Sequence, residues 1–309
     1  MTASTRSPSS PARTGRARTR RRAVGIGAAL AVLATVVAIA VTVARLREGT
    51  DAPAQALPLK PAGSLALPGD TSRFDYASLD PGRHLLFVAH LGAGQIVEID
   101  VSTRQVVRVI DHVPGVHGVL VVPALNRVYA TATDADQVLT LDETTGAVLA
   151  HAPTGDYPDG LAYDPDHARI WITDESGGSE TVITTAGAPV GTVDVGGDAG
   201  NVTYDASGRS GQVLVDVQSR DQVAVIDPTT LHVTRRIAVP GCDHPHGLTL
   251  DPPHRLGFIA CDGSATVHTL DLDSYAVGGP IPVGDNPDVL ALDPDTGRLY
   301  VAAESGTLT

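Results

Sequence analysis

Residues able to do chemistry recur at one position of a repeating unit. Asp75, His117, Asp159, His246 and Asp288 each stand at the start of an apolar run, and Gly200-Asn201 occupies the corresponding place between the third and fourth of these runs. Carboxylates and imidazoles bind polar ligands, ligate cations and move protons. More polar residues lie a few positions away: His112, Asp198, Asp243, His244 and Asn286. His244-Pro245-His246 and the pair His112/His117 are the best candidates for a divalent cation, although their spacing matches no zinc signature. An oxygen-rich set would favour Ca²⁺ and an imidazole-rich one a transition metal, so the choice of cation stays open. The competing reading is structural. Asp and Asn at strand ends bond loop backbone, and ordered water can satisfy a ring of polar groups.

What could gather residues more than forty positions apart is the repeat that carries them. Asp159-Gly160-Leu161-Ala162-Tyr163-Asp164-Pro165 followed by Ala168-Arg169-Ile170-Trp171-Ile172-Thr173-Asp174 reads as strand, Asp-Pro turn, strand. The turn position returns at 80, 122, 164, 205, 251 and 293, with spacings of 42, 42, 41, 46 and 42. That period fits propeller blades of four strands. The expectation is an all-β propeller with five full repeats and the start of a sixth. Second strands are expected at Leu85–Ala89, Arg127–Thr131, Arg169–Thr173, Gln212–Asp216, Leu256–Ala260 and Arg298–Ala302. Third strands mostly end in Asp, at 100, 142, 227 and 271. Inner strands converge at a propeller axis, so the polar entry residues should form a ring at the channel mouth. Simple pairing across the turn sets His90 opposite Asp75, Asp174 opposite Asp159 and Cys261 opposite His246.

The N-terminal quarter differs. Residues 1–22 hold seven arginines and no acid, and residues 23–44 hold no charge. Twenty-two apolar or small residues are long enough to span a bilayer. The preceding arginines predict a cytoplasmic N-terminus, a single-pass anchor and an extracytoplasmic domain. A cleaved signal peptide with secretion is the alternative. Residues 45–63 read as a Pro/Ala-rich tether and 64–309 as the propeller, with Ser64–Gly69 expected as an outer strand. Removing the seven arginines from the net charge of −13 leaves −20 for residues 23–309. Such acidity, without basic patches, argues against nucleic-acid binding. Cys242 and Cys261 are the only cysteines. In an exported domain, with both thiols on one face of one blade, they are expected to form a disulfide; two small buried residues are the alternative.

Second strands such as Leu299-Tyr300-Val301-Ala302-Ala303 and Arg127-Val128-Tyr129-Ala130-Thr131, with the Asp-Pro turns and the "ID/LD" third-strand endings, resemble the YVTN repeat of YncE-like β-propellers. The resemblance covers about residues 64–309. It implies a seven-bladed disc on the exported side of a membrane that binds a ligand or partner and lacks a shared catalytic motif. The repeats reach only Thr307-Leu308-Thr309 in the sixth unit. Either a seven-bladed protein is cut short, which is the expectation, or Leu57–Lys60 and Ser64–Gly69 complete a six-bladed ring. The missing Trp-Asp endings and a single Trp disfavour WD40 repeats proper within the wider WD40-like repeat superfamily. Gly196-Gly197-Asp198-Ala199-Gly200 lacks the strand-to-helix setting of a phosphate loop. The expected role is therefore a binding or scaffold module for an unknown small polar ligand or protein. The alternative is a metal-dependent hydrolase or lyase with its site at the channel mouth.

Overall fold

The computed structural model describes residues 59–207 and 211–309. The arginine cluster, the apolar run 23–44 and most of the tether lie outside the described residues. Among those described there is no α-helix, and no helix long and apolar enough to cross a membrane.

The described chain forms six antiparallel sheets, each built of strands consecutive in sequence. Blade 1 comprises Ala77–Asp80, Leu85–His90, Gln95–Asp100 and Gln105–Ile110. Blade 2 follows with Val116–Val122, Arg127–Ala132, Gln137–Asp142 and Val148–Pro153. Blade 3 is Pro158–Asp164, Arg169–Asp174, Ser179–Thr184 and Pro189–Asp194. Blade 4 is Ala199–Asp205, Gln212–Val217, Gln222–Asp227 and His232–Ala238, and blade 5 is Pro245–Asp251, Leu256–Cys261, Thr266–Asp271 and Val277–Pro282. Blade 6 has three strands, Pro287–Asp293, Arg298–Ala303 and Thr307–Leu308.

Two expectations are corrected. The resemblance implied seven blades, whereas the described residues form six sheets, because only six inner-strand segments occur in their sequence. Ser64–Gly69 forms no strand. Pro61 and Pro68 have no N–H for a ladder, and Gly63 and Gly69 sit at φ of 139° and 95°, outside the extended region.

The aspartates close the turns. Asp80 Oδ1 accepts from the backbone N–H of Gly82 at 2.8 Å and Arg83 at 3.2 Å. Asp100, Asp142, Asp227 and Asp271 make the same kind of Asx turn after the third strand. These bonds favour the carboxylate, and Ser102 and Thr103 hold Asp100 down at about 2.

Between blades lies the apolar core, in five clusters that join successive sheets. Alternate residues of one strand face opposite neighbours. Leu214 packs with Ile259 and Leu270 of blade 5, while Val213 and Val215 pack with Trp171 of blade 3. Tyr129 faces Ile170 and Ile172, while Val128 and Ala130 face Phe87. Both faces of a central blade are therefore buried, which is why its strands read as continuous apolar runs. Phe87, Tyr129 and Trp171 are fully buried. Among the described residues no such cluster joins blade 6 to blade 1.

Candidate functional site

The inner strands do not enter the disc with simple pairing. In blade 3, Ile172 pairs with Leu161 but Asp174 pairs with Pro158, so Asp159 and Gly160 together oppose Thr173. This is a β-bulge, and it recurs. His117-Gly118 oppose Thr131 in blade 2, and Gly200-Asn201 oppose Asp216 in blade 4. His246 in blade 5 and Asp288 in blade 6 are the extra residues at the same step. In blade 1, Ala89 bonds both Asp75 and Tyr76. The expected partners are therefore displaced by one. Cys261 faces Pro245 rather than His246, and Asp174 faces Pro158 rather than Asp159. A bulge re-aims side chains, and here it does so at the axis.

Glycine after the bulge lets neighbouring inner strands close. A Cβ on Gly118 would overlap the carbonyl oxygen of Asp159, and one on Gly247 would overlap that of Asp288. One on Gly160 would sit 2.7 Å from Asn201 Oδ1. Blades 2 and 5 thus pack backbone against the backbone of the next blade, and blade 3 packs against the Asn201 side chain.

A cavity of about 190 Å³ lies at this mouth, lined by Asp75, His117, Asp159, His246 and Asp288 among others. Asn201 accepts a hydrogen bond from Tyr76 Oη at 3.1 Å, and the same hydroxyl lies 3.5 Å from His246 Nε2. His246 Nε2 lies 3.1 Å from Asp288 Oδ1. Tyr157 Oη lies 3.1 Å from His117 Nε2, and His117 Nδ1 lies 2.8 Å from the Gly115 carbonyl and 2.9 Å from Thr133 Oγ1. Arg73 Nη2 reaches Asp75 Oδ2 at 3.2 Å and Glu304 Oε1 at 3.4 Å, so it spans blades 1 and 6.

Six carboxyl groups line the cavity (Asp75, Asp159, Glu175, Asp262, Asp288 and Glu304) against one guanidinium and two imidazoles. The Asp75 side chain and Asp159 are each only 3% exposed; Asp159 Oδ1 has no hydrogen-bond donor, and Asp75 Oδ2 meets the Arg73 guanidinium at 3.2 Å. Their ionisation is correspondingly hard. Burial pushes Asp159 up to about 8, against the pull of His246. Burial likewise raises Asp75 to about 6, opposed by Arg73. For His246 burial opposes the charge, but the bond to Asp288 and the charge of Asp159 outweigh it and raise the ring to about 9. Burial lowers His117, with the Gly115 carbonyl opposing. Asp216, one bulge deeper in blade 4, is fully buried with both oxygens unpartnered, and burial drives it far above the usual carboxylate range.

Of the ring residues, Asp75, His117, Asp159, His246 and Asp288 line the cavity, as does Asn286, and Asn201 bonds Tyr76 at its wall. His112 and His244 do not: both are exposed, and His244 bonds Asp243 at 3.0 Å. Among the described residues no three His, Cys, Asp or Glu side chains are grouped so as to hold a metal ion. Cys242 and Cys261 are joined in a disulfide that ties the loop before blade 5 to its second strand.

Sequence reasoning missed a second tier. Thr133, Glu175, Gln218, Asp262 and Glu304 each follow the second strand and recur at the blade period. Four of them line the cavity, and Thr133 bonds His117. The same period that exposed the first ring would have exposed this one. Tyr76 was also legible, as the one bulky residue at a step where Gly118, Gly160 and Gly247 stand in other blades.

No family model matches this chain, and no curated protein matches it. Solved structures do resemble it. One is described as Kuenenia stuttgartiensis hydrazine synthase, at 16% identity and a TM-score of 0.55, over 75% of this chain and 93% of that one. Another is described as a streptogramin B lyase structure, at 13% identity and a TM-score of 0.63, over 76% and 81%. At this identity the likeness concerns the β-propeller fold.

Proposed function

We propose that the chain is a β-propeller binding module whose axial cavity takes a small, positively charged polar ligand. The observation that carries this is the buried, donor-less Asp159 Oδ1 in a cavity lined by six carboxyl groups, where Asp75 Oδ2 is met by the half-exposed Arg73 guanidinium alone among the arginines. A buried charge without a partner is costly. A cationic ligand supplies both the missing donor and the missing charge. The carboxyls are spread around the cavity rather than converged on a point, which suits a polyatomic cation better than a bare ion. The YVTN-type strands support placement among YncE-like propellers, and that placement favours binding over chemistry. The arginine-flanked apolar run 23–44 supports an anchored, extracytoplasmic domain; reporter fusions after Lys60 that are active only in the cytoplasm would contradict it. A thermal-shift comparison tests the binding reading. Small organic ammonium ions should raise Tm, because a ligand that binds only the folded state stabilises it. Anions of equal size should not.

A second reading rests on the two histidines. Burial keeps His117 neutral, while Asp288 and Asp159 keep His246 charged, within one cavity. A proton acceptor and a proton donor lining one cavity would suit a hydrolase or lyase with its site at the channel mouth. On this reading His117→Ala abolishes turnover of a bound substrate while leaving its affinity intact.

A further inference from the structure

We propose that Tyr76 is the specificity-determining residue of the axial cavity. Its phenol oxygen accepts a hydrogen bond from the bound cation, so the site selects a primary ammonium, which carries N–H donors, over a quaternary one, which carries none. This inference deepens the cation-binding reading above and rests on it. Tyr76 stands one residue after the re-aimed Asp75, and the residues at the same step of the other blades are Gly118, Gly160, Asn201, Gly247 and Val289. In blades 2 and 5 the glycine lets the next inner strand close in. Tyr76 and Asn201 instead carry polar side chains, and the two meet. Tyr76 Oη donates to Asn201 Oδ1 at 3.1 Å. Blades 2 and 3 separate blades 1 and 4 along the chain, so this bond reaches across the axial space rather than along a junction. The phenol thus lines the cavity one step deeper than the ring of Asp and His residues.

The bond to Asn201 decides what the hydroxyl offers a ligand. A phenol has one proton to donate and two lone pairs to accept with. Here the proton is committed to Asn201. Removal from solvent, with the charges of Asp159, Asp288 and Asp75, pushes the ionisation of Tyr76 well above its ordinary range, so that proton stays in place. The oxygen is left as an acceptor. His246 Nε2 lies 3.5 Å from it but 3.1 Å from Asp288 Oδ1, so the imidazolium proton at Nε2 goes to the carboxylate. Asp159 Oδ1, which also lacks a donor, belongs to the same cavity. Acceptors in excess of donors call for a cation with several N–H groups. A quaternary ammonium is held instead by the faces of an aromatic cage. The other aromatic rings of this cavity are not free to form one, since His117 and Tyr157 pack on each other with centroids 5.0 Å apart.

Calorimetric titration of the full-length chain at pH 8 with methylamine and with tetramethylammonium, repeated on Tyr76→Phe, decides this. The unsubstituted chain should prefer methylamine at least about tenfold, as a hydrogen bond to a charged group allows. Tyr76→Phe should cut that preference at least about fivefold. Phenylalanine keeps the ring in place, so a preference set by size alone would survive the substitution, and its survival would overturn the proposal. Equal affinity of the two ions for the unsubstituted chain would also overturn it, while the axial cation reading stood. Binding of neither ion would remove the axial reading, and this inference with it. Should circular dichroism show Tyr76→Phe unfolded, Asn201→Ala serves the same comparison. It frees the phenol proton to bond a cavity carboxylate in the ligand's place, so the preference for methylamine should again fall, and an unchanged preference would overturn the proposal.

Discussion

His246 of blade 5 lies with Nε2 3.1 Å from Asp288 Oδ1 of blade 6, and this ion pair is a charged contact across the junction of the two blades. Its geometry sets a pH dependence. The folded ring titrates at about 9, above its ordinary 6.5, so its stabilisation is fully present below pH 6.5 and is lost as pH rises through 9. Asp159 acts in the same direction. Its folded value of about 8 exceeds the ordinary 3.8, so the fold binds its proton more tightly than the unfolded chain and loses stability between pH 4 and 8. The expected outcome is a Tm that falls from mildly acidic pH towards pH 9. A Tm that rises over that range would contradict it.

Asp159→Asn separates the two contributions. It removes a buried carboxyl with a donor-less oxygen. The variant should flatten the Tm profile between pH 4 and 8 and be more stable than the parent at pH 8, by roughly 1–2 kcal/mol. Chemical denaturation at pH 5 and pH 8 measures both.

The bulge glycines should tolerate no side chain. A Cβ on Gly118 would overlap a backbone carbonyl of the next blade, which cannot move aside as a flexible side chain could. Gly118→Ala should cost about 3 kcal/mol or more, as overpacking at a rigid contact does. Gly297 has φ of 64° but nothing within 4 Å of its missing Cβ, so Gly297→Ala should cost only about 1 kcal/mol. Equal losses would show that closure at the axis is not what the glycine serves.

The fold was legible because the period was. Six turns, five of them at an Asp and all spaced near 42 residues, placed the inner and second strands within a residue or two. The first ring of polar residues was legible for the same reason. The bulge was not. It adds one residue to the inner strand without changing its apolar pattern, so simple pairing set Cys261 against His246 instead of Pro245. His112 and His244 were misread for a related reason. Nearness in sequence to His117 and His246 does not carry them to the axis, since both side chains are exposed in the loops before their inner strands. Arg73 and Tyr157 stand two residues before Asp75 and Asp159, at the step of His244 and Asn286, and only the folded chain shows which residues of that step line the cavity.

The Cys242–Cys261 bond ties the loop that leads into His246. It closes a sequence separation of 19 residues. Reducing it should lower stability by about 3 kcal/mol. Denaturation with and without reductant, alongside thiol counting on the unreduced, denatured chain, checks this. Two free thiols per chain before reduction would contradict the bond.

Cation affinity should rise with pH, because Asp75 and Asp159 ionise at about 6 and 8 while a simple alkylammonium keeps its charge. Titration of methylamine at pH 6 and pH 8.5 should show an affinity at least about fivefold higher at the upper value. An unchanged affinity would mean that neither carboxyl meets the ligand.

Calorimetric titration of methylamine at pH 8 into the unsubstituted chain and into the Asp75→Asn/Asp288→Asn double variant tests axial cation binding most directly. Both carboxyls line the cavity. The account predicts saturable one-to-one binding to the unsubstituted chain and a loss of at least tenfold in affinity for the variant, with far-ultraviolet circular dichroism showing both folded. Absence of heat with the unsubstituted chain, or equal affinity for the two proteins, would contradict it.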